Sequence, residues 1–198
     1  MKMRIISGLY KNRTIVAPKG DKTRPTSSQL RAALFNICQL YIEDAVFLDL
    51  FAGSGAIGLE ALSRGAKKVV FVDNQRYCIQ CIQKNLENFR EEDHGQVFFN
   101  DAFDFLQESA VCHEKFDIIY ADPPYNSFFT KKGESLGFSE KILQLVNEKS
   151  LLRMGGTLFL EDSSASLAEV EACGSLQLKS ARQFGHSKLL EYQNFLEE

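Results

Sequence analysis

The apolar and polar positions of this chain change period several times, and each change marks a new element. Arg4 to Ser7 and Arg13 to Ala17 alternate around Gly8 to Asn12, the pattern of a short β-hairpin. After the cap-forming run Thr26-Ser27-Ser28, Leu30, Ala33, Leu34, Ile37 and Cys38 recur at helical spacing, which predicts a helix to about Leu40. Ala45 to Phe51 is then a continuous apolar run interrupted only by Asp49, suited to a parallel strand buried on both faces. A helix over Ala56 to Ser63, ending near Gly65, and a strand over Lys68 to Val72 complete one β-α-β unit. Further strands are predicted at Gln96 to Asn100, Phe116 to Ala121 and Gly156 to Leu160, with helices at Tyr77 to Phe89, Ala102 to Glu108 and Ser139 to Glu148. Leu176 to Arg182 and Lys188 to Phe195, joined by Gln183 to Ser187, form an antiparallel hairpin, while Asn126 to Gly137 follows no period.

Strands alternating with helices imply an α/β fold, an open and mostly parallel sheet with helices on both faces, closed by the C-terminal hairpin. The first 40 residues, hairpin and helix, stand before that pattern as an appendage, and residues 41–198 form the sheet domain. Ligands of such sheets bind beyond the carboxyl ends of the strands, so the residues there carry the chemistry.

Composition narrows the class. With 198 residues, 44% of them hydrophobic, the chain is long enough to bury a sizeable core. No segment approaches the roughly 18 apolar residues of a membrane span, and Met1 to Ile6 is basic without an apolar signal-peptide core, so a cytoplasmic protein is expected. Five cysteines without even spacing read as reduced thiols, and Cys78 with Cys81 lacks the second pair that a zinc site needs; no metal is expected. Net charge is only −3, yet residues 1–40 hold eight Lys and Arg against Asp21 alone, giving that segment +7 and the remainder −10. Such asymmetry is the footprint of an arm that binds phosphates, which is expected to use Arg4, Lys11, Arg13, Arg24 and Arg31.

At the end of the first strand, Gly53, Gly55 and Gly58 have the spacing of a nucleotide-binding turn. By itself the turn suits either a pyrophosphate or the ribose and methionine parts of S-adenosylmethionine. Asp49 before it would repel a pyrophosphate and attract a cationic amino-acid tail. Asp73 ends the second strand, where a carboxylate accepts hydrogen bonds from ribose hydroxyls. Asp101-Ala102 at the third strand end suits an adenine amino group, although Asp101 also serves as an N-cap. The most specific feature is Asp122-Pro123-Pro124-Tyr125 after the strand ending at Ala121. Its prolines remove two backbone donors, leaving acceptors for the two N–H groups of an exocyclic amine, while Tyr125 can stack on the base.

Together these residues resemble the class I S-adenosylmethionine-dependent methyltransferases with an (Asn/Asp)-Pro-Pro-Tyr motif, which methylate planar amines. The likeness extends to Arg4-Ile5-Ile6-Ser7-Gly8-Leu9-Tyr10-Lys11, Thr23-Arg24-Pro25-Thr26, Arg31 with Leu34-Phe35-Asn36, and Gly58 to Ala66, which resemble the bacterial RsmD family over essentially the whole chain. That resemblance implies a Rossmann-like methyltransferase sheet and a methyl transfer from S-adenosylmethionine to the N2 amine of a guanine in 16S ribosomal RNA. It implies a cofactor site of Asp49, Phe51, Ala52, Gly53, Ser54, Gly55, Asp73, Asn74, Asp101 and Ala102. Asp122, Pro123, Pro124 and Tyr125 would be catalytic, with Thr26 joining the basic residues on RNA. The implied partner is 16S rRNA in an assembling or assembled small subunit, with neither membrane nor DNA involved; a monomer is expected, although nothing in the sequence fixes the oligomeric state. Other planar amines, adenine N6 in DNA or a protein glutamine, satisfy the same turn. A nicotinamide-dependent dehydrogenase would use the glycines and Asp73 but leave Asp122 to Tyr125 unexplained, and an inactive ribosome-assembly factor would not need the motif.

Overall fold

The computed structural model describes residues 3–17, 28–108, 115–124, 127–131, 134–164 and 170–195. Arg24, Thr26 and Tyr125 lie outside them. The chain forms two compact units, Met1–Ala102 and Phe103–Glu198.

In the first unit, strands β1 (Val46–Leu50), β2 (Lys68–Asp73) and β3 (Gly95–Phe99) run parallel in the order β3-β2-β1. All five residues of β1 are buried, as its continuous apolar run requires. Helix α1 (Ser28–Ile37) buries Leu30, Leu34 and Phe35, with the Phe35 ring stacked on Phe47 at 6.4 Å, and tightens into a 3₁₀ turn at Cys38–Leu40. Helix α2 (Ala56–Ser63) is buried on every side, and it lies close against β2 because Gly58 has no side chain. A Cβ there would sit 2.2 Å from the Phe71 ring. Helix α3 (Arg76–Phe89) turns Cys78, Ile79, Ile82, Leu86 and Phe89 inward and its charged positions outward.

The expected N-terminal hairpin is present in a short form. Arg4 bridges Thr14, Asn12 donates to the Ile5 carbonyl, and Ile15 donates to that of Met3. This hairpin is fixed to the first unit rather than extended from it. Ile6 and Ser7 donate their N–H groups to Glu60 on α2 at 2.8 and 2.9 Å, and Leu9 donates to the Ser63 carbonyl at 2.7 Å. The Ser63 hydroxyl accepts from the Tyr10 N–H and donates to the Ser7 carbonyl. Gly8 makes the approach possible: its φ is +82°, and a Cβ would fall 1.8 Å from the Ser63 carbonyl oxygen. Gly8→Ala is therefore expected to destabilise the protein by about 1–3 kcal/mol. Urea unfolding would reveal it, and an unchanged midpoint would mean the hairpin does not dock there.

In the second unit, helix α4 (Ala102–Gln107) leads to strand β4 (Phe116–Ala121), which pairs in parallel with β7 (Leu152–Ser163). Strand β10 (Ser187–Asn194) lies antiparallel between β7 and β9 (Leu176–Phe184), and the two-residue β8 (Ala172–Cys173) flanks β9. Helix α5 (Phe138–Glu148) buries Ile142, Leu143, Leu145 and Val146.

Strands β5 to β8 differ from the sequence reading, and β8 falls where no element is predicted. Within the segment expected to be irregular, β5 (Phe128–Lys131) and β6 (Glu134–Gly137) pair antiparallel as a separate two-stranded ribbon. Strand β7 is also longer than Gly156 to Leu160. It starts at Leu152 because a register shift opposite Phe116 to Ile118, with Gly155 at φ +74°, carries the ladder past the exposed Arg153 and Met154.

Candidate active site

In the first unit the strand ends converge on the glycine-rich turn. Phe51, Gly53 and Gly55 take left-handed φ values of 58°, 55° and 76°. For Phe51 this is a strained conformation, worth about 1–3 kcal/mol, and the surrounding hydrogen bonds hold it. Ala52 donates to the Val72 carbonyl at 3.0 Å, and Gly55 donates to that of Ala52 at 2.7 Å. A Cβ on Gly53 would meet nothing closer than the Phe51 carbonyl oxygen at 3.9 Å, so the turn is open on that side. A Cβ on Gly55 would press on Ile82 and Phe71.

Two carboxylates brace the turn. Asp49 is buried and accepts from the Gly58 N–H at 2.9 Å, in the first turn of α2, where the helix dipole favours a negative charge. This bond holds one oxygen of the Asp49 carboxylate against the start of α2. Asp73, 9% exposed, accepts from the Gly53 N–H and from the Gln75 N–H, each at 2.8 Å. Burial pushes its pKa up, against the pull of those two bonds and of the Cys78 thiol. The Cys78 thiol is itself pushed up to about 12, first by burial and then by the charge of Asp73. A carboxylate has room for about four hydrogen bonds, so Asp73 keeps acceptor capacity for a ligand.

Asn100 at the end of β3 donates to the Asp73 carbonyl at 3.2 Å, and its side-chain oxygen accepts from the Asp101 N–H at 2.9 Å. Asp101 is half-buried and Ala102 buried, while Asn74 is exposed and its side-chain oxygen accepts from the Gln75 amide at 2.8 Å. The structure thus brings Asp49, Phe51 to Gly55, Asp73, Asn74 and Asp101 together on one set of strand ends.

The basic residues of the arm divide. Arg4 and Lys11 are exposed. Arg13 is exposed but engaged, with its guanidinium 4.5 Å from the Phe89 ring centroid and 5.2 Å from that of Tyr10, and a bond to the Asn88 carbonyl. Arg31 corrects the expectation of a phosphate contact: it is 3% exposed, and its Nη2 donates to the Arg4 carbonyl at 2.7 Å. Burial lowers its pKa, opposed by the adjacent Glu60, and its Nε and Nη1 are buried without a hydrogen-bond partner among the described residues. Arg31 holds the arm in place instead of meeting a phosphate.

Sequence reasoning passed over the residues that fasten the arm to the turn. Glu60, fully buried on α2, accepts from Ile6, Ser7 and the Arg64 side chain. Asn85, fully buried on α3, exchanges two bonds with the Val16 backbone at 2.8 and 2.9 Å and donates to the Ser54 carbonyl at 3.2 Å. The available signal was a single acid inside the otherwise apolar Ala56 to Leu62 and an amide on the apolar stripe of α3.

In the second unit, β4 delivers Asp122, half-exposed, then Pro123, buried, and Pro124, exposed. The prolines leave Asp122 and the carbonyls around it as the polar groups of this turn, all acceptors. One strand across, Glu161 on β7 is buried and accepts from the Tyr120 hydroxyl at 2.8 Å.

Comparison with known proteins gives one consistent result. The chain is 36% identical to Bacillus subtilis YlbH over 184 residues, covering 92% of this chain and 94% of that protein. It is 31% identical over 160 residues to Ribosomal RNA small subunit methyltransferase D of Haemophilus influenzae, covering 80% and 78%. Among solved structures, Escherichia coli yhhF matches with a TM-score of 0.82 at 29% identity, and a Haemophilus influenzae protein with 0.79 at 26%, each covering 99% or more of both chains. These neighbours have the class I methyltransferase fold, which this chain shares. A family model described as Conserved hypothetical protein 95 matches residues 3–193, and the chain belongs to that family, the RsmD family.

Proposed function

We propose that this protein transfers a methyl group from S-adenosylmethionine to ribosomal RNA, and that the acceptor is the N2 amine of a guanine in 16S rRNA. The observation that carries the reading is the acceptor-only turn Asp122-Pro123-Pro124 at the end of β4, the complement of an exocyclic NH2 group. The relatives named Ribosomal RNA small subunit methyltransferase D support RNA as the substrate class.

The residues present fit the cofactor. The turn at Gly53 is open, Asp73 keeps acceptor capacity for a ribose hydroxyl, and Asp101 offers a half-buried carboxylate to an adenine amine. When bound, S-adenosylmethionine supplies an electrophilic methyl group on a cationic sulfonium. Asp49 acts through the turn it braces, as do Phe51, Ala52, Ser54 and Gly55 by their backbone conformation. Asn74 and Ala102 line the neighbouring strand ends. Asp73→Ala is expected to weaken S-adenosylhomocysteine binding roughly 10- to 100-fold, as loss of charged hydrogen bonds implies. Calorimetry measures this, and unchanged affinity would remove Asp73 from the site.

Asp122 and the carbonyls beside it hold the two N–H groups of the amine, which turns the nitrogen lone pair towards the methyl, and Asp122 gives the departing proton an acceptor. The guanine leaves its stack to reach the turn, and Tyr125 replaces the stacking lost. Arg4, Lys11, Arg24 and Thr26 bind phosphates and set register on the RNA, within an assembling or assembled small subunit, and the protein acts as a monomer. The decisive experiment incubates the protein with labelled cofactor and 16S RNA, small subunits, duplex DNA or protein substrates, and identifies the modified nucleoside by mass spectrometry. N2-methylguanine in RNA is expected. Label confined to DNA or protein would overturn the assignment, and transfer to another RNA amine would overturn the guanine.

A further inference from the structure

Strand β4 is followed by Asp122 and two prolines. The ladder with β7 closes at Ala121 paired with Leu160, and Pro123 and Pro124 have no N–H to extend it. Strand β7 runs on to Ser163, held on its other side by β10, with Leu189 opposite Glu161. One residue beyond the last β4 pair, Glu161 therefore stands laterally beside Asp122. Asp122 follows Tyr120 by two residues, the spacing that puts side chains on one face of a strand. The Tyr120 hydroxyl crosses on that face to Glu161 Oε2 at 2.8 Å. Both residues are buried, at 2% and 3% exposure. A carboxylate in the middle of a sheet is expensive to bury, and packing alone would be served better by an apolar residue.

We propose that Tyr120 and Glu161 are positioning residues: their buried cross-strand hydrogen bond pins the end of β4 to β7 and so fixes the Asp122 turn for the amine. The inference rests on the functional reading above. The pair touches neither cofactor nor substrate and acts through the geometry of Asp122. A shift of about 1 Å in such a group lowers a rate on the order of 100-fold, so a hydroxyl one turn away has leverage out of proportion to its size.

The test compares the wild-type protein, Tyr120→Phe, Glu161→Gln and the double variant Tyr120→Phe/Glu161→Leu, using labelled cofactor with 16S RNA and small subunits. Tyr120→Phe and the double variant are expected to lose roughly tenfold or more in kcat, with the KM for S-adenosylmethionine within about twofold of wild type. Glu161→Gln keeps an acceptor for the Tyr120 hydroxyl and is expected to retain most of the rate. Thermal midpoints supply the second readout. The double variant replaces both partners with apolar groups and is expected to lose rate beyond any loss of folded fraction. A double variant with wild-type kcat, or rates that fall only in step with the folded fraction, would overturn the proposal. A wild-type protein that methylates no RNA overturns the functional reading and this inference with it, whereas an active wild type with equally active variants overturns only the inference.

Discussion

Asp122→Ala is expected to lower methyl transfer roughly 10²- to 10⁴-fold while leaving cofactor affinity within about twofold. The separation follows from where the residue stands. Asp122 belongs to the turn after β4, whereas the groups suited to ribose and adenine, Asp73 and Asp101, close β2 and β3. With both prolines unable to donate and the alanine unable to accept, the amine keeps only carbonyl partners. Its lone pair then stays delocalised into the ring. Asp122→Asn offers a useful contrast, because its side-chain oxygen still accepts one N–H. Intermediate activity for Asn would point to orientation as the main effect, and inactivity equal to Ala would point to the carboxylate as proton acceptor. Single-turnover kinetics with calorimetry of S-adenosylhomocysteine measures both quantities, and loss of cofactor binding in Asp122→Ala would place Asp122 in the wrong site.

Glu60→Ala is expected to be the most destabilising single substitution in the first unit, by about 3–5 kcal/mol, or roughly 6–20 °C in Tm. Glu60 is fully buried and accepts from the Ile6 and Ser7 N–H groups at 2.8 and 2.9 Å and from Arg64 at 3.0 Å. Its negative charge also sits against the buried guanidinium of Arg31, whose Nε and Nη1 have no hydrogen-bond partner among the described residues. Alanine would leave two N–H donors unsatisfied and Arg31 without its counter-charge. The hairpin that carries Arg4 and Lys11 would be released from α2. Circular dichroism melts and amide exchange at Ile6 and Ser7 would record both effects, and a loss below about 1 kcal/mol would show that the hairpin docks by other contacts.

Helix α2 and strand β4 match the sequence reading residue for residue. Gly55 and Gly65 punctuate the helix, and the apolar run of β4 stops at Asp122-Pro123. Strand β7 was only half legible, since Arg153, Met154 and Gly155 break the apolar period while a bulge continues the pairing. The β5–β6 ribbon left no periodic trace. In the site, the glycines, Asp73 and Asp122 were readable because their chemistry is tied to strand ends. Glu60, Asn85 and Glu161 were not, because a polar residue inside an apolar element reads as an interruption. Its partners lie far along the chain, such as the Ile6 N–H 54 residues from Glu60. Arg31 was misjudged for the opposite reason: counting charges says nothing of which ones fold inward.

Asn85 joins two parts of the first unit that the sequence keeps apart. One amide side chain holds the Val16 backbone of the arm and the Ser54 carbonyl of the glycine-rich turn. Free-energy coupling between two sites is reciprocal: the factor by which one ligand changes affinity for a second equals the factor by which the second changes affinity for the first. Were a ligand on the arm to displace Val16, Asn85 would carry the change to Ser54, and the order in which two ligands arrive would make no difference to the final equilibrium.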